Sequence, residues 1–252
     1  TAFLVTALGP AIAGTLAWFG THRLPHERSF SQIHFDLKDA FPIARWKKVL
    51  HVNEAMGYML GYAAHSLELF ASRSWLVAFF TYCATANGGE NTFPLTATLI
   101  ATLINLLGVP ASIVGNEIAL RIGRHRWVYY VMLGSALFGV LLGSSIHWHW
   151  SWILLLAFIH SMFIMADSAT LTAGLVISVP KEIKGAAMGL HSLLGFGGGL
   201  LGPAIFGAVL DFSRLIDYNG WQLAYGSTVI WGVIFVLYTQ FSLWKNKRSR
   251  QS

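Results

Sequence analysis

The 252-residue chain is 55% hydrophobic and only 11% charged, with a formal net charge of +6. Charged residues make up about a quarter of ordinary soluble domains, so this composition excludes that class. The basic excess is no nucleic-acid footprint either, because all 17 Lys and Arg except Arg73 fall in a few segments that connect or follow the apolar runs.

In chain order, apolar stretches of about 20 residues, the length that crosses a hydrocarbon core at about 1.5 Å per residue, predict an all-α bundle of about seven spans. They are Ala2 to Phe19, Ala55 to Ala84, Pro94 to Val114, Trp127 to Ile146, Trp152 to Ser178, Ala186 to Leu210 and Trp221 to Trp244. The first begins Thr1-Ala-Phe-Leu, apolar at once and without a signal-peptide charge, which reads as the interior of a longer protein or a truncated frame. Gly20 to Leu50 follows as a polar linker with Pro25 and Pro42, in which Phe30, Ile33, Phe35, Leu37 and Phe41 are placed to seat a short interfacial helix. The expected domains are thus 1–19 (a span), 20–50 (the linker) and 51–252 (six spans).

Charge alternates along these connections. The linker carries Arg23, Arg28, Lys38, Arg45, Lys47 and Lys48, whereas Asn87 to Asn91 carries only Glu90. Arg121, Arg124 and Arg126 follow the third span, and His147 to Trp150 has no Lys or Arg. Lys181 and Lys184 follow the fifth span, Arg214 alone the sixth, and the tail holds Lys245, Lys247, Arg248 and Arg250. The positive-inside rule puts the C-terminus in the cytoplasm. Trp148, Trp150, Trp152, Trp221 and Trp244 fall at the expected interfaces. The lone Cys83 sits in an apolar run and reads as a small packed residue.

Between the third and fourth spans lies the basic stretch Gly115 to Arg126, GNEIALRIGRHR. It resembles the cytoplasmic signature loop of the major facilitator superfamily: Gly, three residues, Asp, a basic residue, any residue, Gly, then two basic residues. Aligned on Gly123, the basic positions fall on Arg121, Arg124 and His125, with Arg126 following; Leu120 replaces the acid, and Asn116 replaces the first Gly, one step from Gly115. The resemblance implies the last span of the N-terminal half, the central linker and the six-span C-terminal half of a secondary transporter in a bacterial-type inner membrane. It also implies a missing N-terminal half as partner, and a solute held at mid-membrane during alternating access.

Gly185 to Asp211 reads GAAMGLHSLLGFGGGLLGPAIFGAVLD. Gly195 and Gly199, and Gly198 and Gly202, are spaced to let a neighbouring helix approach, and Pro203 can kink their helix. The span is similar to the superfamily's penultimate span, which contributes to its gate; close packing alone accounts for the stripe equally well. For the stripe Ser135, Gly139 and Gly143, packing is the expectation.

Chemistry is expected where ionisable groups sit at membrane depth, since charge there is costly without a partner or a wet cavity. Glu68 and Arg73 in the second span and Asp167 in the fifth meet this test. Glu68 and Arg73 lie about 140° apart around their helix, so an Arg73–Asp167 pair is expected instead. His65, one turn before Glu68, is placed to share or relay a proton. His160 and His191 read as helix-contact residues. Thr98, Thr102 and Asn105 form a polar stripe that either lines a pathway or bonds a neighbouring helix.

With that resemblance, which implies a small-solute transporter, these residues suggest proton coupling through Glu68 or Asp167, with Arg73 favouring an anionic or polar solute. A multidrug and proton antiporter is the second transport reading. A haem-binding oxidoreductase using His65, His160 and His191 is the alternative of another class, without a Cys-x-x-Cys-His motif. No phosphate loop, zinc-spaced cluster or nucleophile elbow supports an enzyme, and no metal or cofactor is expected.

Overall fold

The computed structural model describes residues 2–21, 41–89 and 92–248. Phe30 to Leu37, Arg23, Arg28, Lys38, Glu90, Arg250 and the side chain of Trp244 lie outside the described residues. The chain divides into the units Thr1–Phe41 and Pro42–Ser252.

In the first unit α1 (Ala2–Thr21) is a helix with Pro10 inside it. Thr15 returns its hydroxyl to the Ala11 carbonyl at 2.7 Å, which hides a polar group from an apolar surround.

The second unit opens with the short α2 (Ile43–Leu50), whose Val49 is buried, followed by the 34-residue α3 (Asn53–Ala86). Next come α4 (Ala97–Ile122), α5 (Arg124–Ser144), α6 (Trp150–Ala166), α7 (Ser168–Ser178), α8 (Lys184–Leu215) and α9 (Gly220–Arg248). No strand occurs among the described residues. Side chains start several helices: Thr96 accepts from the Leu99 amide, and Asn219 accepts from the amides of Trp221 and Gln222.

Five helical segments are long and apolar enough to cross a membrane: Ala97–Ile122, Arg124–Ser144, Trp150–Ser178, Lys181–Leu215 and Gly220–Leu237. The chain is therefore a multi-pass membrane protein. Two of the seven expected spans do not reach that standard. The apolar run described in α1 is shorter, Ala7–Gly20, and α3 has the length but carries His65, Glu68 and Arg73 among its apolar residues.

Packing neighbours run in a ring: α3 against α8, α8 against α9, α9 against α5, α5 against α6, α6 against α4, and α4 against α3. Two apolar cores are stacked within it. One joins Phe79, Phe80, Leu142, Ile153, Phe206 and Tyr225, and the other joins Val49, Met59, Val128, Leu171, Leu175 and Ala187. Basic residues flank the second core, from Lys47 and Lys48 through Arg121 and Arg124 to Lys184.

One local expectation is corrected. Helix α4 continues to Ile122 and α5 starts at Arg124, so the supposed loop from Gly115 to Arg126 is a reversal at Gly123 alone, whose φ of 96° suits glycine. Charges marked the stretch as loop, yet Glu117 and Arg121 pair at 3.4 Å one turn apart and prolong the helix on its exposed side. Trp221 is 7% exposed, its ring packed among Phe79, Phe206 and Trp75. Trp148 and Trp152 are exposed, and Cys83 is buried.

Candidate functional site

Between the two apolar cores lies a polar layer. Along α3 the lower core ends at Ala64 and the upper begins at Ala71, and His65, Ser66 and Glu68 are buried in the interval. Along α6 and α7 the layer holds His160 and Asp167, and along α5 it holds Ser135. A polar layer locked between dry cores must satisfy its own hydrogen bonds.

Glu68 does so through two other helices. Its Oε1 accepts from the Ser135 hydroxyl at 2.5 Å and lies 3.1 Å from His160 Nε2. Asp167 is matched differently: its Oδ1 lies 2.8 Å from His65 Nδ1, though no aligned donor hydrogen points at that oxygen. Both His65 and Asp167 are almost fully buried. The two carboxylates and His65 border one space of about 10 Å³, room for a single water, closed by Ala64, Met132, Phe163 and Gly232 among others.

The expected Arg73–Asp167 pair is not formed. Arg73 sits about 7.5 Å further along α3 than Glu68 by helical rise, and its Nη2 donates to Met165 Sδ at 3.4 Å. His65 takes Asp167 because it precedes Glu68 on the face that meets the break between α6 and α7. The imidazole beside Glu68 is consequently that of His160 and not that of His65. His160 and Ser135, expected as contact and packing residues, are members of the site. The signal for His160 was its place two turns before Asp167 on the same face; nothing in the spacing of Ser135 set it apart from Gly139 and Gly143. Those two glycines do pack: a Cβ on Gly139 would meet His160 Nε2 at 3.0 Å, and one on Gly143 the Trp221 carbonyl at 2.7 Å.

The helix break at Asp167 is held from the basic end of the bundle. Interrupting a helix frees carbonyls that the bilayer cannot satisfy. Here the Ala166 carbonyl accepts from the Trp127 indole at 2.9 Å. Gly115 packs directly against the Ala166 backbone, where any Cβ would clash. Two residues near the Gly123 turn therefore touch the residue just before Asp167. Trp127 was expected only as a span boundary.

The remaining expected residues are placed as follows. Gly195 faces Tyr62, Gly199 faces Phe70, and Gly198 and Gly202 lie on the backbone of Ala63 and Leu67, so this stripe is the contact surface of α8 on α3. The Pro203 carbonyl accepts from Trp75 Nε1 at 3.0 Å. Thr98 and Thr102 are exposed, and Thr102 bonds back to the Thr98 carbonyl within its own helix. Asn105 borders a second recess with Arg73, Ser72 and Ser161. Arg126 is exposed and Arg124 half-buried at the turn, beside His125, which stacks on Tyr58 and lies 3.4 Å from Glu54. His191 stacks on Tyr62 with centroids 3.7 Å apart, its Nε2 3.3 Å from the Thr172 hydroxyl.

Chemically, each His–carboxylate pair sets a proton-binding nitrogen beside a proton-binding oxygen, so a proton held between the two leaves the pair neutral. No protein-family model, curated protein or solved structure matches the chain.

Proposed function

We propose that the chain forms the C-terminal six-span half, with the preceding span and linker, of a major facilitator-type secondary transporter. In this reading there are seven spans, α1 and α3 included, with the C-terminus in the cytoplasm of a bacterial-type inner membrane. Its partners are the bilayer, the N-terminal half, protons and a small polar or anionic solute. The observation that carries the reading is the pairing of Glu68 with His160 and of Asp167 with His65 around one water-sized space between two apolar cores.

Loading one proton there changes the layer's charge by one unit where water is scarce. Such a change shifts the balance between two arrangements of the bundle by however much they differ in hydrating the layer. The break beside Asp167 gives the chain a place to bend, and the Gly-lined contact of α8 on α3 is the surface on which gating would slide.

Reconstituted full-length protein, with a pH-sensitive dye in the vesicle lumen, tests the reading. A panel of small organic anions and lipophilic cations is offered under an imposed proton gradient. At least one solute is expected to move protons with it, and Glu68→Gln and Asp167→Asn to abolish the coupling. Full gradient-dependent transport in both variants would sink it.

A further inference from the structure

We infer that the recess at Arg73 is a binding site for the carboxylate of a small monoanion. The argument begins with charge. Arginine cannot shed its proton in a protein, so at membrane depth it needs an anion or water. Among the described residues both acidic side chains of the membrane layer are already matched, Glu68 by His160 and Ser135, and Asp167 by His65. Among the described residues no carboxylate lies within ion-pair reach of Arg73. It donates to Met165 Sδ, a weak acceptor that occupies one of five N–H groups.

Geometry then selects the ligand. The recess is bordered by Ser72, Arg73, Asn105 and Ser161, with Leu69, Leu76, Ile104, Ala157 and Ile164 completing it. Arg73 and Asn105 supply N–H donors, the Ser161 hydroxyl already donates to the Ile104 carbonyl at 3.4 Å, and no acidic residue borders the space. Its volume, about 10 Å³, admits one water-sized atom, so a single carboxylate oxygen enters and the remainder of the ligand stays outside. Arg73 and Asn105 are only half-buried, which leaves the approach open. A planar fork of N–H donors favours a planar carboxylate held by two parallel bonds. One fixed positive charge matches one negative charge, so a compact dianion such as hydrogen phosphate would bring an unpaired charge to the recess.

The site also adjoins the proton layer. Ile164 borders both recesses, and Met165, which holds Arg73, is two residues before Asp167. An anion at Arg73 and a proton at Asp167 would therefore be read by the same end of α6. This coupling rests on the transport reading; the binding site does not.

Purified protein in lipid nanodiscs is titrated calorimetrically with acetate, lactate and benzoate, and with succinate, inorganic phosphate and tetraphenylphosphonium for comparison. A monocarboxylate is expected to bind best. Arg73→Gln should weaken it about 30-fold or more, the cost of stripping one partner from a desolvated pair. Arg73→Lys, which keeps charge and loses the fork, should fall between. Arg214→Gln, an exposed arginine beside Asp211, should bind as the parent does, and thermal unfolding verifies that each variant is folded. No monocarboxylate binding, equal affinity for phosphate, or binding indifferent to Arg73→Gln overturns the inference. Monocarboxylate binding lost in Arg73→Gln without transport in vesicles upholds the site and defeats the transport reading. Proton-linked transport of another solute, unchanged in Arg73→Gln, does the reverse.

Discussion

Helix α3 meets its neighbours through two unlike faces. Toward α8 it offers backbone: Ala63 and Leu67 lie directly under Gly198 and Gly202, with Tyr62 and Phe70 filling the places beside Gly195 and Gly199. Toward α5 and α6 it offers charge: Glu68 reaches Ser135 and His160, while His65 reaches Asp167. Lipid tails are as apolar as leucine, so neither contact gains from expelling water, and close packing and polar bonds must hold the helices together. A face of interlocked backbone has one good arrangement. A face of His–carboxylate pairs is held by a few polar bonds instead. The difference assigns close packing to the first face, and under the transport reading the proton coupling belongs to the second.

The largest effect is expected from breaking the steric face. In Gly202→Val the new side chain meets the Leu67 carbonyl, and α8 must move off α3. Overpacking of this kind costs roughly 1–3 kcal/mol, visible as a lower unfolding temperature and a smaller folded yield in detergent. Gly198→Ala, whose Cβ would meet the Ala63 carbonyl at 2.8 Å, should lie below it. Wild-type stability in Gly202→Val would mean that the two helices are not in contact.

On the polar face, size and charge can be separated. Glu68→Ala leaves the Ser135 hydroxyl and His160 Nε2 without their acceptor, a loss of about 1–3 kcal/mol for buried groups. Glu68→Gln retains an oxygen in the same place and should cost much less, while removing a proton site. If the two variants lose equal stability and Glu68→Gln leaves coupling intact, Glu68 is a structural residue and the contrast between the faces fails. A smaller effect is expected from Trp127→Phe. The Ala166 carbonyl then has no indole donor, worth about 0.5–1.5 kcal/mol, and hydrogen exchange should quicken selectively around Asp167 to Leu171.

Composition and charge alternation made the helical membrane character and the gathering of basic residues at one end legible. The helical wheel correctly separated Glu68 from Arg73, but a wheel gives a face and not the neighbour that will meet it. Hence Asp167 was matched to the nearest opposite charge, when His65 stood closer to the break. The break itself had no Gly or Pro to mark it: Ala166, Asp167 and Ser168 are compatible with continuous helix, and the signal lies in Trp127 and Gly115 on other helices. Glycine spacing did mark the α8 stripe, because absence of a side chain is a local property and partnership is not.

The least effect on stability is expected where α4 turns its polar residues outward. Thr98 and Thr102 are exposed, and the Thr102 hydroxyl is satisfied by the Thr98 carbonyl of its own helix. Replacing both with valine keeps their shape, breaks no bond to another helix among the described residues, and should change stability by no more than about 0.5 kcal/mol, as surface substitutions do. A hydroxyl stripe that bonds nothing across the bundle contributes little to holding it, so any effect must come from what passes along that face. A fall in transport at unchanged unfolding temperature would place the stripe on the solute's path. A drop in stability without change in transport would make it a docking surface for another helix, and α4 would then belong with the steric face of α3 rather than with its charged one.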